Sequence, residues 1–239
     1  KYASQVEEYL ATAYFNEKDY ANALASINRI NRPSSKVMEA KQKILYELGM
    51  ECMANNRPSA AREYLMEAVG INGDRQLQAQ SNLWLGDACY ALGKYSDAEK
   101  AYRAYLNADR RGENRSLALY NLAYAQLMSD KYSQAASSFS EALKSSPALP
   151  QRMQDDALIR MADAQYYAGN YKQALHNYST AIENGAQDSD YATFRRAVMY
   201  GLDGDIKRKL SELSGMPSEF PGSKWLPNAL LEKGQTYSG

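Results

Sequence analysis

Small and apolar residues recur along the chain at a period of 35 to 39 residues. In the first six copies a small residue is followed three, nine, twelve, sixteen and nineteen positions later by residues that are mostly apolar or aromatic, and a seventh copy begins at Gly234 and reaches only Tyr237. These spacings fit the amphipathic α-helix better than the alternation of a strand. The small residues lie at positions 11, 49, 86, 123, 162, 197 and 234, and the clearest copy contains Leu85, Gly86, Cys89, Tyr95, Ala98, Tyr102 and Tyr105.

Each copy is long enough for two helices joined by a turn. All seven prolines fall between helical patterns or in the first turn of a helix, where their missing N–H is not needed. Gly93 and Gly169 occupy the same place in the turn, which suits a left-handed helix cap. The small residues allow the two helices to approach closely, and larger residues such as Tyr102 and Tyr178 are assigned to that seam. The pattern therefore predicts an all-α chain.

This set of positions resembles the tetratricopeptide repeat (TPR) family, whose helix–turn–helix unit carries small, aromatic, alanine and proline positions in this order. The chain departs from the family in lacking the tryptophan of the first helix and in having a period about three residues longer. The resemblance implies a right-handed α-solenoid of TPR-like hairpins that forms a single domain over residues 1–239. The repeats are expected at about 1–32, 36–72, 75–110, 113–148, 152–186 and 188–221, followed by a partial or capping helix at 223–239.

The resemblance also implies where a partner binds. In the family, the first helices of successive repeats line a concave groove, so counting from each small residue selects the side chains expected to face it. The selected set is rich in tyrosine, a residue type that concentrates binding energy. The predicted binding groove consists of Tyr46, Trp84, Asp87, Tyr90, Tyr120, Asn121, Tyr124, Arg160, Asp163, Tyr166, Tyr167 and Arg195.

The tyrosine-rich face has an alternative interpretation, in which the aromatic residues only fill a wide seam between long helices. Chaperone-binding members of the family hold a peptide carboxylate, but of that clamp only Asn121 and Arg160 are present, and Leu83, Asp87 and Asp156 occupy its other positions. We therefore do not expect that ligand. The same count also places on this face Tyr9, Phe15, Met50, Met53, Leu83, Leu127, Met128, Ile159, Tyr191 and Phe194.

Composition excludes several other functions. Twenty-eight basic residues balance twenty-eight acidic ones, which argues against nucleic acid as the partner. One histidine and two cysteines exclude a multi-histidine metal site and argue against a disulfide scaffold. His176 has no nucleophile at a useful spacing, and no glycine-rich phosphate loop is present, so we expect no enzymatic activity and no cofactor. No apolar run approaches the roughly 18 residues of a membrane span.

The C-terminal segment carries a more particular signal. It reads FPGS at 220–223, and then alanine, leucine, glycine and tyrosine at 229, 230, 234 and 237. This is similar to a repeat junction of bacterial envelope TPR proteins, of the outer-membrane assembly lipoprotein and Tol–Pal-associated types. The similarity implies a periplasmic or outer-membrane-associated location in bacteria, and the expectation without it is a cytoplasmic protein.

The predicted function is a non-catalytic scaffold that binds an extended peptide or protein segment in the aromatic-lined groove. One alternative is a glycan-binding envelope protein that stacks Tyr and Trp rings on sugars. The other is a self-assembling structural module, a homo-oligomer that docks through its C-terminal helix.

Overall fold

A computed structural model describes residues 2–238, and those residues form thirteen α-helices and no strand. The prediction of an all-α chain is confirmed. Residues 1 and 239, the first and last of the predicted solenoid, lie outside the described range. The helices are α1 (Tyr2–Asn16), α2 (Tyr20–Asn28), α3 (Ser35–Ala54), α4 (Pro58–Gly70), α5 (Arg75–Ala91), α6 (Tyr95–Ala108), α7 (Arg115–Leu127), α8 (Tyr132–Lys144), α9 (Gln151–Tyr167), α10 (Tyr171–Glu183), α11 (Ser189–Leu202), α12 (Ile206–Glu219) and α13 (Leu226–Ser238).

The helices pack in chain order within two compact units, the first ending at Ser129 and the second beginning at Asp130. In the first unit, α1 packs on α2, α3 on α4 and α5 on α6, and α2–α3, α4–α5 and α6–α7 contacts stack these pairs. In the second unit, α9 packs on α10 and α11 on α12, with α8–α9, α10–α11 and α12–α13 contacts between them. Such neighbour-to-neighbour packing is typical of repeat proteins. That the whole chain is a single solenoid stays a prediction.

The turn inside each hairpin uses one backbone conformation. Gly93 and Gly169 have φ angles of 70° and 79°, so the left-handed cap predicted for both is confirmed. After Gly93, the N–H of Lys94 donates to the carbonyl of Cys89 at 2.8 Å, which satisfies an end group of α5. In all six hairpins the residue seven positions after the small one has positive φ: Lys18, Asn56, Gly93, Asp130, Gly169 and Gly204.

One proline is placed differently from the expectation. Pro217 lies inside α12 rather than between helices, so that prediction is wrong for this residue. Its fixed φ is compatible with a helix, and it cannot donate to the carbonyl of Leu213 four residues earlier. The helix ends two residues later at Glu219, where the N–H of Phe220 donates to the carbonyl of Met216. Because Pro217 lies two residues before the end of α12, its effect on the backbone hydrogen bonds is confined to the last turn of the helix.

The seam between the two helices of a hairpin is set by the small residue. A Cβ atom added to Gly86 would lie 2.4 Å from the ring of Tyr102, and one added to Gly49 would lie 2.6 Å from Leu65. Both distances are far below van der Waals contact, so these helices approach as closely as their backbones and the opposing side chains allow. In all six repeats the residue sixteen positions after the small one is buried: Ile27, Leu65, Tyr102, Phe139, Tyr178 and Leu213.

We expect Gly86→Ala to destabilise the protein although alanine favours helices. The helical preference for alanine is worth about 1 kcal/mol, but the new methyl group overlaps the Tyr102 ring, and overpacking costs about 1–3 kcal/mol. Gly215→Ala in α12 is the matched control, because its Cβ would meet its nearest neighbour at an ordinary 3.7 Å. Thermal unfolding should show a lower midpoint for Gly86→Ala and an equal or higher one for Gly215→Ala. Two equal rises would contradict a close-packed seam.

Candidate functional site

Eleven of the twelve predicted groove residues fall into three groups, of which the first is a packing pair. Tyr46 on α3 and Trp84 on α5 pack against a buried cluster that includes Cys52 and Leu65. Burial raises the pKa of Tyr46, and a hydrogen bond from Trp84 partly opposes the rise. Their contacts are those expected of residues that fill the seam between helices.

The second group encloses a cavity of about 340 Å³ in the first unit. We call it the tyrosine pocket. Its residues come from successive helices, since α5 supplies an acid and a tyrosine, α6 supplies Tyr102, and α7 supplies two tyrosines and an amide. The rings of Tyr120 and Tyr124 meet edge to face with centroids 5.0 Å apart. The pocket is lined by Asp87, Tyr90, Tyr102, Tyr120, Asn121 and Tyr124.

A half-buried carboxylate forms the polar end of the tyrosine pocket. The Asp87 Oδ1 atom accepts a hydrogen bond from the phenol of Tyr102 at 2.6 Å and one from the Asn121 amide at 3.0 Å. Burial raises the pKa of Asp87, and these two bonds act in the opposite direction. For the Tyr102 phenol, burial and the neighbouring carboxylate both raise the pKa far above its usual value. Tyr102 therefore stays protonated and remains a donor.

The sequence pattern assigns Tyr102 to packing, and the structure places it in the pocket as well. Its ring fills the seam against Gly86, and its hydroxyl extends beyond the seam to Asp87. The equivalent position holds leucine at Leu65 and phenylalanine at Phe139. Two features of the sequence indicate this second role of Tyr102. A tyrosine stands where an apolar ring would fill the seam, and an aspartate directly follows the small residue.

The third group forms an ion-pair cluster in the second unit, around the buried carboxylate of Asp163. The phenols of Tyr178 and Tyr191 donate to its Oδ1 atom at 2.5 and 2.8 Å, and Arg160 pairs with its Oδ2 atom. The Arg195 guanidinium lies 3.8 Å from Oδ1 by its Nε atom and stacks on the Tyr166 ring at 4.4 Å. We call these residues the arginine cluster: Arg160, Asp163, Tyr166, Tyr178, Tyr191 and Arg195.

Exposure separates the other predicted groove residues. Tyr167 is 56% exposed, and its ring stacks on Tyr132 at 5.1 Å and meets Tyr166 at the same distance. Leu83 and Ile159 are 4% and 0% exposed, so the prediction that they face an open groove is wrong. Both side chains belong to the packed interior, and Ile159 lies in a buried cluster with Tyr178 and Met199.

The described residues hold few groups outside these clusters that could carry other chemistry. Nowhere among them do three or more His, Cys, Asp or Glu side chains gather as a metal ion would require. Cys52 and Cys89 are both buried and unbridged. Over the described range, none of the helices has the length and hydropathy needed to cross a membrane.

The buried phenols predict how stability changes at alkaline pH. Tyr102 and Tyr178 have pKa values raised above 10 in the folded chain, whereas an unfolded tyrosine releases its proton near 10. The unfolded state then binds fewer protons than the folded state, so stability falls as pH rises through about 10. We expect the Tyr102→Phe, Tyr178→Phe double variant to show a shallower fall in urea midpoint between neutral and alkaline pH. Exposed Tyr237→Phe is the control, and an unchanged slope in the double variant would refute the assignment.

Comparison with known proteins agrees with this architecture. A family profile described as tetratricopeptide repeat matches residues 46–115 and 159–208, and a second with the same description matches residues 117–148. No curated protein sequence matches the chain.

Solved structures match over most of the chain. The structure of pilF from Pseudomonas aeruginosa is 20% identical, with coverage of 97% of this chain and 98% of that one and a TM-score of 0.59. PilW, described as a widely conserved type IV pilus biogenesis factor, is 16% identical with coverage of 96% and 99% and a TM-score of 0.58. YrrB, described as a TPR protein with an unusual peptide-binding site, is 17% identical with coverage of 80% and 90% and a TM-score of 0.64.

At these identities, the likeness to solved structures concerns the fold alone. It confirms the predicted fold class, an α-solenoid of TPR-like helical hairpins. The profile matches add the sequence evidence, since together they span more than half of the residues. The chain belongs to the tetratricopeptide repeat family.

Proposed function

We propose that this protein is a non-catalytic interaction scaffold that binds an extended peptide or protein segment at the tyrosine pocket. Repeats of this family typically form protein-interaction scaffolds without catalytic activity. The observation that carries the proposal is the pocket itself, in which four tyrosine rings surround one carboxylate and one amide. Its volume of about 340 Å³ is at the small end of ligand pockets and fits one or two side chains of a partner.

The state of the lining side chains favours binding over simple packing. Tyr90, Tyr120 and Tyr124 are each partly exposed, so a partner can bury additional aromatic surface against them. The edge-to-face contacts of Tyr90 with Tyr95 and of Tyr120 with Tyr124 restrict the rings before a partner arrives. Rings that are already ordered lose little conformational entropy on binding. Truncation of such a residue is expected to weaken binding more than it weakens the fold.

The bacterial envelope is the location we propose. The supporting observation is the junction at 220–223, where the Ser223 hydroxyl accepts a hydrogen bond from the Trp225 N–H at 3.1 Å and donates to Asp190. These bonds give the motif a structural role at the start of α13. PilW, similar in fold, is described as a type IV pilus biogenesis factor, which is compatible with a periplasmic or outer-membrane-associated location.

Two other functions stay predictions. Glycan binding would use the same tyrosine rings, and a binding experiment distinguishes it from peptide binding by using sugars in place of peptides. Self-association through α13 is supported by the exposure of Leu230, Leu231 and Tyr237 on that helix, at 60%, 62% and 69%. Light scattering of the purified chain over a range of concentrations measures it directly.

The peptide proposal is tested with a displayed library of linear peptides selected on the wild-type chain. We expect the selected peptides to lose at least about tenfold in affinity for Tyr124→Ala, because a central aromatic anchor contributes about 2 kcal/mol or more. The melting temperature of the variant should change by only a few degrees. Tyr237→Ala, on the exposed face of α13, is the matched control and should bind normally.

Two results would contradict the proposal. One is a Tyr124→Ala variant that binds the selected peptides as well as the wild type does. The other is a collapse of its melting temperature, since the tyrosine would then serve the helix seam. A glycan array probed with the same two variants decides the sugar-binding alternative.

A further inference from the structure

We infer that the tyrosine pocket recognises a basic side chain, arginine or lysine, on the bound segment. This inference rests on the proposed function, because it assigns the chemistry of the ligand at the same site. It depends on the charge of the pocket and on a comparison between two repeats of the chain. The occupant is a positively charged side chain in an extended peptide.

The pocket presents one acid and no basic residue. Of its six lining residues only Asp87 has a carboxyl group and none has a basic group, and the two hydrogen bonds of Asp87 come from the neutral donors Tyr102 and Asn121. Both bonds go to Oδ1, and the structure records no ion pair for this carboxylate within the described residues. Tyrosine faces add a negative quadrupole, which attracts a cation placed over the ring. The pocket therefore has the charge pattern that complements a cation.

The fifth repeat contains the same arrangement with a cation built in. Counted from the small residues Gly86 and Ala162, an aspartate follows at once, a tyrosine four positions on and another tyrosine sixteen positions on. The fourth position compared lies two residues before the small residue of the next repeat, at 121 and 195, and its residue type differs between the two repeats. The corresponding residues are Asp87 and Asp163, Tyr90 and Tyr166, Tyr102 and Tyr178, and Asn121 and Arg195.

The arginine cluster shows what this frame accepts. The Arg195 guanidinium stacks on the Tyr166 ring at 4.4 Å, and its Nε atom lies 3.3 Å from the Tyr178 hydroxyl and 3.8 Å from Asp163. The Tyr178 hydroxyl donates to Asp163 just as Tyr102 donates to Asp87. The fifth repeat thus fills an acid-and-tyrosine frame with a guanidinium from its own chain.

The third repeat has the frame without the built-in cation. Asn121 occupies the position that Arg195 has in the fifth repeat. Its short side chain donates a hydrogen bond to Asp87, and the Tyr90 ring lines the cavity. A basic side chain from a partner can place its charge near Asp87 and its stem along the rings. A neutral apolar side chain would desolvate the carboxylate without any compensating charge, which is unfavourable. The frame therefore favours arginine or lysine over neutral residues.

The test uses the chain of residues 1–239 and blocked peptides of glycine and serine with a single central residue. That residue is arginine, lysine or citrulline, the last being the uncharged counterpart of arginine. Peptide binding is followed by NMR through the Asn121 side-chain amide and the backbone amides of α7. We expect the arginine and lysine peptides to bind at least tenfold more tightly than the citrulline peptide.

Three variants connect the preference to the pocket. Asp87→Asn keeps an oxygen acceptor for Tyr102 and should lower the affinity for the arginine peptide to that for the citrulline peptide. Asn121→Arg should supply the guanidinium internally, as Arg195 does, and block the basic peptides. Asp97→Asn removes an acid of α6 that is not among the pocket residues and should leave the preference unchanged. Thermal melting establishes that each variant is folded.

The outcomes separate this inference from the proposed function. Equal binding of the arginine and citrulline peptides, or unchanged preference in Asp87→Asn, overturns the inference while the library selection still decides whether the pocket binds peptides. Library ligands that require Tyr124 but are not enriched in arginine or lysine lead to the same conclusion. No shift of the α7 signals at millimolar basic peptide also overturns it.

Discussion

The two helices of a hairpin approach each other closely at one small residue, and this contact limits which side chains every other position can hold. At Gly49 and Gly86 the backbone leaves no space for a methyl group, because Leu65 and Tyr102 lie directly opposite. The large residue sixteen positions later is buried in every repeat, and the hairpins that lie within one unit share this seam. Because the helices are held this closely, their other faces have fixed positions, and the tyrosine pocket is formed by residues on those faces.

The seam and the candidate site share residues, which couples stability to binding chemistry. Tyr102 and Tyr178 fill the seam with their rings and direct their hydroxyls to Asp87 and Asp163. A buried aspartate is costly unless it is hydrogen-bonded, and the seam tyrosine supplies the donor from within the same hairpin. The two repeats then differ in the cations around the acid, because Trp84 and Asn121 of the third arrangement stand where the fifth has Arg160 and Arg195. That difference separates a lined cavity from an internally paired cluster.

Turn geometry was only partly predictable. Glycine marked the left-handed position at Gly93 and Gly169, and the structure has that conformation at both. It has the same conformation at Lys18, Asn56 and Asp130, where glycine is absent; asparagine and aspartate adopt it more readily than lysine does. Hydrogen bonds that close the end of the preceding helix, such as the one from Arg57 N–H to Cys52 at 2.8 Å, stabilise the turn when glycine is absent. Local propensity alone does not include that contribution.

The all-α class, the family and the existence of a tyrosine-rich face all follow from the spacing of small and large residues along the sequence. The packing of Tyr46 and Trp84 on the core, the burial of Leu83 and the reach of Tyr102 into the pocket became evident from the packed helices. Spacing specifies the direction of a side chain around its own helix. Whether that direction meets a neighbour or a cavity depends on the distance between helices, which the side chains of both helices set together.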